Sequence, residues 1–131
     1  LANPHSVTVT GDRVWVTDTG DHTVRSFTLS GTLVVTFGTP GTPGAPGAPF
    51  NRPTGAWVAP DGCVYVSDGY GQQRVHRFAG DGTLLASWGA PGTGPGEFTL
   101  PHHVWGDGKG TIYVCDRESG RVQLFDDGDV P

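Results

Sequence analysis

The sequence contains no methionine, only two cysteines, and charge on just 16% of its 131 residues. Cys63 and Cys115 are too few for a disulfide framework, and both lie in strand-like contexts where a small buried thiol is the expected role. The chain has eight basic and 13 acidic residues and no basic run. The sequence therefore gives no sign of the positively charged surface that binds a nucleic-acid backbone or an anionic membrane. No stretch approaches the roughly 18 apolar residues of a transmembrane helix. We therefore predict neither nucleic acid nor a membrane as a partner.

Glycine and proline are abundant instead, with 22 and 11 residues respectively. Helix bundles and coiled coils need long runs without these two residues, so the composition excludes them. Hydrophobic residues still make up 35% of the chain, which argues against disorder. Valine, threonine, tryptophan and phenylalanine recur in short clusters between Gly, Asp and Pro. The composition therefore predicts an all-β fold with many turns.

An internal repeat organises these clusters. Pro4, Pro53 and Pro101 mark the same point in three successive units and lie 49 and 48 residues apart. Each proline opens a short strand, a second strand ends in aspartate, and a third ends in phenylalanine. A fourth strand, residues 32–37 and 83–88, is present in the first two units only.

Four short antiparallel strands per unit of nearly 50 residues predict a β-propeller blade. We place blade one at residues 4–52, blade two at 53–100 and an incomplete blade three at 101–131. The pattern resembles the NHL repeat. A propeller needs at least four blades to close. Together with the start at Leu1, which has neither an initiator methionine nor a signal peptide, this predicts an excised or processed part of a larger ring.

The aspartate that ends each second strand belongs to the repeat pattern. These residues are Asp18, Asp68 and Asp116. Aspartate often accepts hydrogen bonds from nearby backbone amides in turns. We expect the three carboxylates to secure the turn after the second strand rather than to carry chemistry.

Two of the five histidines occupy the same place in the repeat. His5 and His102 follow the opening proline of the first and third units, where the second unit has Thr54. Inner strands line the channel of a propeller, so equivalent residues lie at similar heights around its axis. Histidines on alternate blades of a six-bladed ring can converge on a zinc ion with an open fourth position. Alternatively, each is a tolerated polar residue at the channel mouth.

Tyr70 lies in the turn after the second strand of blade two, and Arg117 lies in the corresponding turn of blade three. A turn tyrosine is usually an exposed packing residue. A phenol beside a divalent cation and a guanidinium, however, ionises more readily and can act as a base.

The chain resembles the peptidylglycine α-amidating lyases over nearly its whole length. Its Asp-Gly-Tyr and Phe-Thr-x-Pro-His segments are more specific than a generic NHL repeat. The segments that carry the resemblance are residues 4–7, 15–18, 53–55, 64–70, 96–102 and 116–123.

The resemblance implies a six-bladed propeller that cleaves a peptidyl-α-hydroxyglycine into a peptide amide and glyoxylate, with a channel zinc held by three histidines. Carried over by residue, it makes His5 and His102 two of the zinc ligands. It makes Tyr70 the catalytic base and Arg117 an active-site arginine. It also implies a structural calcium bound by backbone carbonyls, with Val7 at one such position.

The sequence departs from that family at several places. The third zinc histidine is expected on blades outside this chain. The family cysteine after the tyrosine is Gly71 here, and half of another family disulfide falls at Leu124, so neither disulfide can form. These losses suit a microbial relative, while the resemblance itself favours a secreted or periplasmic location.

Three hypotheses follow. The chain is a fragment of a zinc-dependent amidating lyase, inactive alone and completed by the remaining blades. Alternatively, it is a non-catalytic NHL module that binds protein partners. The third is a half-propeller that pairs with a second copy of itself, which places histidines at ring stations one, three, four and six and disrupts an alternate-blade triad.

Overall fold

The computed structural model describes residues 1–127 and is built from strands and turns. The strands are β1 Pro4–Thr10, β2 Arg13–Asp18, β3 Thr23–Thr28, β4 Leu33–Phe37, β5 Gly55–Val58, β6 Val64–Asp68, β7 Arg74–Phe78, β8 Leu84–Trp88, β9 Pro101–Gly106, β10 Thr111–Asp116 and β11 Arg121–Asp126. Over residues 1–127, no helix is long and apolar enough to cross a membrane. The prediction of an all-β fold is confirmed.

Three antiparallel sheets follow one another along the chain. The first has the order β1-β2-β3-β4, the second β5-β6-β7-β8, and the third β9-β10-β11 within the described residues. Gly31 and Gly82 close the last hairpin of the first two sheets at φ values of 92° and 96°, which favour glycine. The sequence of hairpins matches propeller blades, and within residues 1–127 the third sheet has no outer strand, as predicted. The number of blades in a complete ring stays a prediction.

The sheets pack through two hydrophobic cores that use the same eight repeat positions. Each core takes three side chains from one blade and five from the next blade and its entry segment. Trp15, Val24 and Phe37 meet Phe50, Ala56, Val64, Val66 and Phe78 in the first core. Tyr65, Val75 and Trp88 meet Phe98, Val104, Ile112, Val114 and Phe125 in the second. The repeat therefore encodes one interface twice.

Each repeat aspartate accepts at least one backbone amide from the segment that leads into its own blade. Asp18 accepts the amides of Ala2 and Asn3 at 2.7 and 2.8 Å. Asp68 accepts the amide of Asn51 at 3.0 Å. Asp18 also accepts the amide of Asp21 in the following turn, as expected. The carboxylates thus hold the segment that precedes each inner strand against the end of the second strand.

Candidate active site

The fold brings His5, Tyr70, His102 and Arg117 together from three different blades. His5 and His102 lie at the starts of the inner strands β1 and β9. Tyr70 and Arg117 lie in the turns that follow β6 and β10. Blade two lies between the two histidine-bearing blades and supplies the tyrosine that reaches both of them.

The Tyr70 hydroxyl lies between the two imidazoles. Its oxygen is 3.1 Å from Nε2 of His5 and 2.9 Å from Nε2 of His102. The two imidazole ring centroids are 5.0 Å apart, and the rings are nearly perpendicular. Two nitrogen atoms and one phenol oxygen therefore converge on the same small volume.

The backbone of blade two fixes the proton positions in this cluster. Nδ1 of His5 is 2.7 Å from the carbonyl oxygen of Thr54, which can only accept, so Nδ1 carries a proton. In neutral His5, Nε2 then carries a lone pair and accepts a hydrogen bond from the Tyr70 hydroxyl. A phenol has one proton, so Nε2–H of His102 donates to Tyr70 in that arrangement.

His102 is biased toward its neutral form. Its pKa lies below the ordinary value of 6.5, chiefly because burial disfavours the charged ring, with further contributions from His5, Arg117 and His103. A neutral imidazole is the form that binds a metal ion or accepts a proton.

Arg117 places a positive charge over the Tyr70 ring. Its guanidinium carbon lies 5.7 Å from the ring centroid, within the range of a cation–π contact. Nε of Arg117 donates to Glu118 at 2.8 Å, and this bond, ahead of the smaller effect of Tyr70, raises the pKa of Arg117. The guanidinium therefore keeps its charge beside the phenol.

The backbone around Tyr70 is held by Arg52, which the sequence analysis did not single out. The amide of Tyr70 donates to the Arg52 carbonyl at 3.2 Å, and Nη2 of Arg52 donates to the Tyr70 carbonyl at 3.1 Å. The Arg52 amide in turn donates to Nδ1 of His22 at 3.0 Å. Arg52 and His22 both have φ near 60°, an uncommon value outside glycine. No motif marks these two residues, because the loops that bring them together are far apart in sequence.

The other predicted site residue, Val7, lies on β1 opposite Val16, with its side chain 64% exposed. The role of its carbonyl as a calcium ligand stays a prediction. His103 is half-buried, and its ring lies so close to Gly55 that a Cβ atom on residue 55 would contact it. His76, to which no role was assigned, is fully buried and lies 2.8 Å from Asp68. Residues 128–131 of the predicted blade three lie outside the described residues.

Nε2 of His5 and Nε2 of His102 are suited to be two of the ligands of a zinc ion. The Thr54 carbonyl already directs the Nε2 lone pair of His5 into the site, the arrangement found behind metal-bound histidines. His102 is able to present Nε2 in the same way once its proton moves to Nδ1. Within residues 1–127, no group of three or more His, Cys, Asp or Glu side chains is arranged to hold a metal ion. Two imidazoles are therefore what this chain can offer.

Comparison with known proteins gives this geometry a context. The family model of the NHL repeat matches residues 1–27. NHL repeat-containing protein 3 of Homo sapiens is 36% identical over 135 residues, covering 94% of this chain and 39% of the relative. A probable peptidyl-alpha-hydroxyglycine alpha-amidating lyase of Caenorhabditis elegans is 36% identical over 131 residues, covering 95% and 37%. The match to the NHL repeat therefore covers residues 1–27, and the chain as a whole is similar both to an NHL repeat-containing protein and to an amidating lyase.

The chain spans less than two fifths of the length of these relatives. Its fold also matches hydrazine synthase of Kuenenia stuttgartiensis with a TM-score of 0.74 at 15% identity, covering 99% of this chain and 34% of that one. At that identity the match concerns the fold alone. The names of the two curated relatives differ, because one specifies a lyase and the other specifies no reaction. The choice between a lyase and a binding module therefore depends on the site.

Proposed function

We propose that this chain supplies part of the active centre of a zinc-dependent lyase. The enzyme cleaves the C–N bond of a peptidyl-α-hydroxyglycine to give a peptide amide and glyoxylate. The observation that carries the proposal is the Tyr70 oxygen, held between Nε2 of His5 and Nε2 of His102.

The reaction moves one proton from the carbinol oxygen to the amide nitrogen. As a phenolate, Tyr70 accepts the hydroxyl proton while the C–O bond gains double-bond character and the C–N bond breaks. Tyr70 then returns the proton to the departing nitrogen, so the substrate is divided without net gain or loss of protons. The Arg117 guanidinium over the ring stabilises the phenolate.

His5 and His102 would hold the zinc through their Nε2 atoms. Bound there, zinc supplies Lewis-acid polarisation of the substrate hydroxyl. The Thr54 carbonyl orients His5 for this role, and the lowered pKa keeps His102 neutral. A third ligand is expected from outside this chain.

Zinc binding by titration calorimetry tests the proposal. The parent chain is expected to bind one zinc ion per site, and His5→Ala and His102→Ala are each expected to abolish that binding. Asp81→Ala is the control, because its exposed carboxylate lies in the turn between β7 and β8 and caps the Thr83 amide there. A metal-free parent, or equal loss in the control, contradicts the proposal. Glyoxylate release from α-hydroxyhippurate is then measured on a full-length relative carrying the same substitutions.

The second candidate is a non-catalytic NHL module that binds protein partners. It is favoured by the similarity to NHL repeat-containing protein 3, whose name specifies no reaction. A protein that binds no zinc and leaves the hydroxyglycine substrate intact in the full-length context supports the module.

A further inference from the structure

Blade two contains a second cluster of nucleophilic and titratable side chains, separate from the candidate active site. Ser87 lies on β8, His76 on the neighbouring β7, and Asp68 at the end of β6. Nδ1 of His76 is 2.7 Å from the Ser87 hydroxyl, and Nε2 of His76 is 2.8 Å from a carboxylate oxygen of Asp68. The imidazole therefore links a hydroxyl to a carboxylate, which is the connectivity of a serine nucleophile with its base and its orienting carboxylate.

Asp68 determines which ring nitrogen of His76 carries the proton. Its carboxylate also accepts from the Asn51 amide at 3.0 Å and from the Gln72 side-chain amide at 2.7 Å, and these donors hold it in place. A carboxylate only accepts hydrogen bonds, so in neutral His76 the proton lies on Nε2. Nδ1 then carries a lone pair and accepts a hydrogen bond from the Ser87 hydroxyl. The hydroxyl proton therefore already points at the base that would remove it.

Burial differs between the base and the nucleophile. Asp68 and His76 are fully buried, and the nearly inaccessible Phe50 ring packs on the imidazole with 5.7 Å between the ring centroids. Away from water, a carboxylate stabilises an imidazolium more strongly than it does in solvent. Ser87 is only half-buried and lies on the outer strand of its sheet. The rim of the blade is therefore the side from which a small molecule reaches the hydroxyl.

The outer strand also supplies donors for a developing negative charge. Among the described residues, β8 has a neighbouring strand on one side only. An edge strand presents a row of backbone N–H groups without strand partners. Such groups are the donors that stabilise the oxyanion formed when a nucleophile attacks a carbonyl carbon. An ester is therefore a suitable substrate class for Ser87.

The other two blades form without this cluster. In the first sheet, the register positions of His76 and Ser87 hold Arg25 and Thr36, and Arg25 pairs with Asp21 at 2.6 Å. In the third sheet, residue 123 is a glutamine at the position of the histidine. Among the three sheets of the described chain, the connection from serine through histidine to aspartate is thus found in blade two alone. The repeat does not need it in order to fold.

We propose that Ser87, activated by His76 and Asp68, is a nucleophile that takes the acyl group of small esters. The Ser87 oxygen forms a bond to the ester carbonyl carbon while its proton passes to Nδ1 of His76. The bond from that carbon to the alcohol oxygen then breaks, and Nδ1 returns the proton to the departing alcohol. Water releases the acyl group as a carboxylic acid by the same two proton transfers, which restores Ser87.

Reaction with p-nitrophenyl acetate in the presence of EDTA tests the proposal. We expect the acetyl group on Ser87 when the peptides of the parent chain are mapped by mass spectrometry, and no acetyl group on that peptide in Ser87→Ala. EDTA excludes zinc, so the outcome is independent of the proposed lyase reaction, and failure of either proposal leaves the other standing.

Thr36→Ser is the matched control within the same chain. It places a serine at the equivalent position of the first sheet, opposite Arg25 instead of a histidine. Residue 36 of this variant should therefore react no faster than an ordinary serine. If Ser87 of the parent is acetylated no faster than residue 36 of Thr36→Ser, the proposal is wrong.

Asp68→Asn tests the positioning role of the carboxylate. Its side-chain amide is able to donate to Nε2 of His76, which moves the ring proton to Nδ1 and removes the lone pair that faces Ser87. Acetylation of Ser87 should then fall by about 100-fold or more. Nitrogen NMR of the imidazole should show an unprotonated Nδ1 in the parent and a protonated Nδ1 in the variant, a change that lost stability alone does not cause. Acetylation of Asp68→Asn at the parent rate overturns the proposal.

Discussion

Removal of the Asp68 carboxylate should destabilise blade two more than any exposed aspartate can. Asp68 is fully buried and accepts from the Asn51 amide at 3.0 Å, the Gln72 side-chain amide at 2.7 Å and the His76 ring at 2.8 Å. His76 is itself fully buried, so Asp68→Ala leaves its Nε2 without a partner or with a rearranged one. Each unsatisfied buried group costs about 1–3 kcal/mol, so the variant should lose about 3–5 kcal/mol.

Asp68→Asn separates the shape of the side chain from its acceptor capacity. Its amide oxygen is able to keep the bond to the Asn51 amide. His76 is able to respond by moving its proton to Nδ1, which then donates to the Ser87 hydroxyl at 2.7 Å. The Gln72 side-chain amide then keeps its bond to the Ala48 carbonyl but loses its second acceptor, so the expected cost is about 1–2 kcal/mol.

Urea unfolding followed by tryptophan fluorescence, at one fixed protein concentration, measures these differences. The midpoint of Asp68→Ala should fall by roughly 1–5 M, since the slope for small domains is about 1–3 kcal/mol per molar urea. Asp81→Ala is the control because its exposed carboxylate caps a single turn amide, of Thr83, and its midpoint should scarcely move. An Asp68→Ala midpoint equal to that of Asp81→Ala, or an Asn variant less stable than the Ala variant, would refute the reasoning.

Three further changes test the site and the cores. Gly69→Ala directs a methyl group onto the carbonyl that precedes His102, so it should separate Tyr70 from that ring and abolish zinc binding; unchanged calorimetry would contradict this. The pKa of Asp116 lies below its ordinary 3.8, because hydrogen bonds, including two from backbone amides, outweigh the opposing effect of burial. Its stabilisation is therefore complete above about pH 4 and is lost as pH falls through the folded pKa, and Asp116→Asn should flatten that acid limb in urea midpoints. Gly106→Ala drives a methyl group into the Trp57 ring and should cost about 1–3 kcal/mol; a midpoint equal to the parent's would show that the ring yields freely.

The repeat gives the most direct route from sequence to fold. Pro4, Pro53 and Pro101 locate the inner strands, and the recurring hydrophobic positions become the two cores. This succeeds because a blade is a set of hairpins whose strands pair with their neighbours in sequence, so local pattern suffices to place them.

The residues of the candidate site were harder to predict from local sequence pattern than the strands were. The equivalence of His5 and His102 in the repeat, together with the family resemblance, singled out four residues that the structure brings together. Arg52 and His22 were not predicted, because nothing in the sequence around either residue indicates that their two loops are in contact. The repeat aspartates were expected to secure the following turn, and Asp18 and Asp68 do bond groups there. All three also accept amides that lie 15 to 17 residues earlier in the chain, which the sequence analysis did not predict.

Sequence alone determined the all-β class, the three-unit repeat and the side chains that fill each interface, because hydrophobic alternation and turn residues act over a few neighbours. Tertiary structure decided which groups meet across blades: the Tyr70 hydroxyl between two imidazoles, and the Thr54 carbonyl at Nδ1 of His5. Those contacts join residues as many as 65 positions apart. Their distances depend on how one sheet stacks upon the next, and no local pattern specifies that packing.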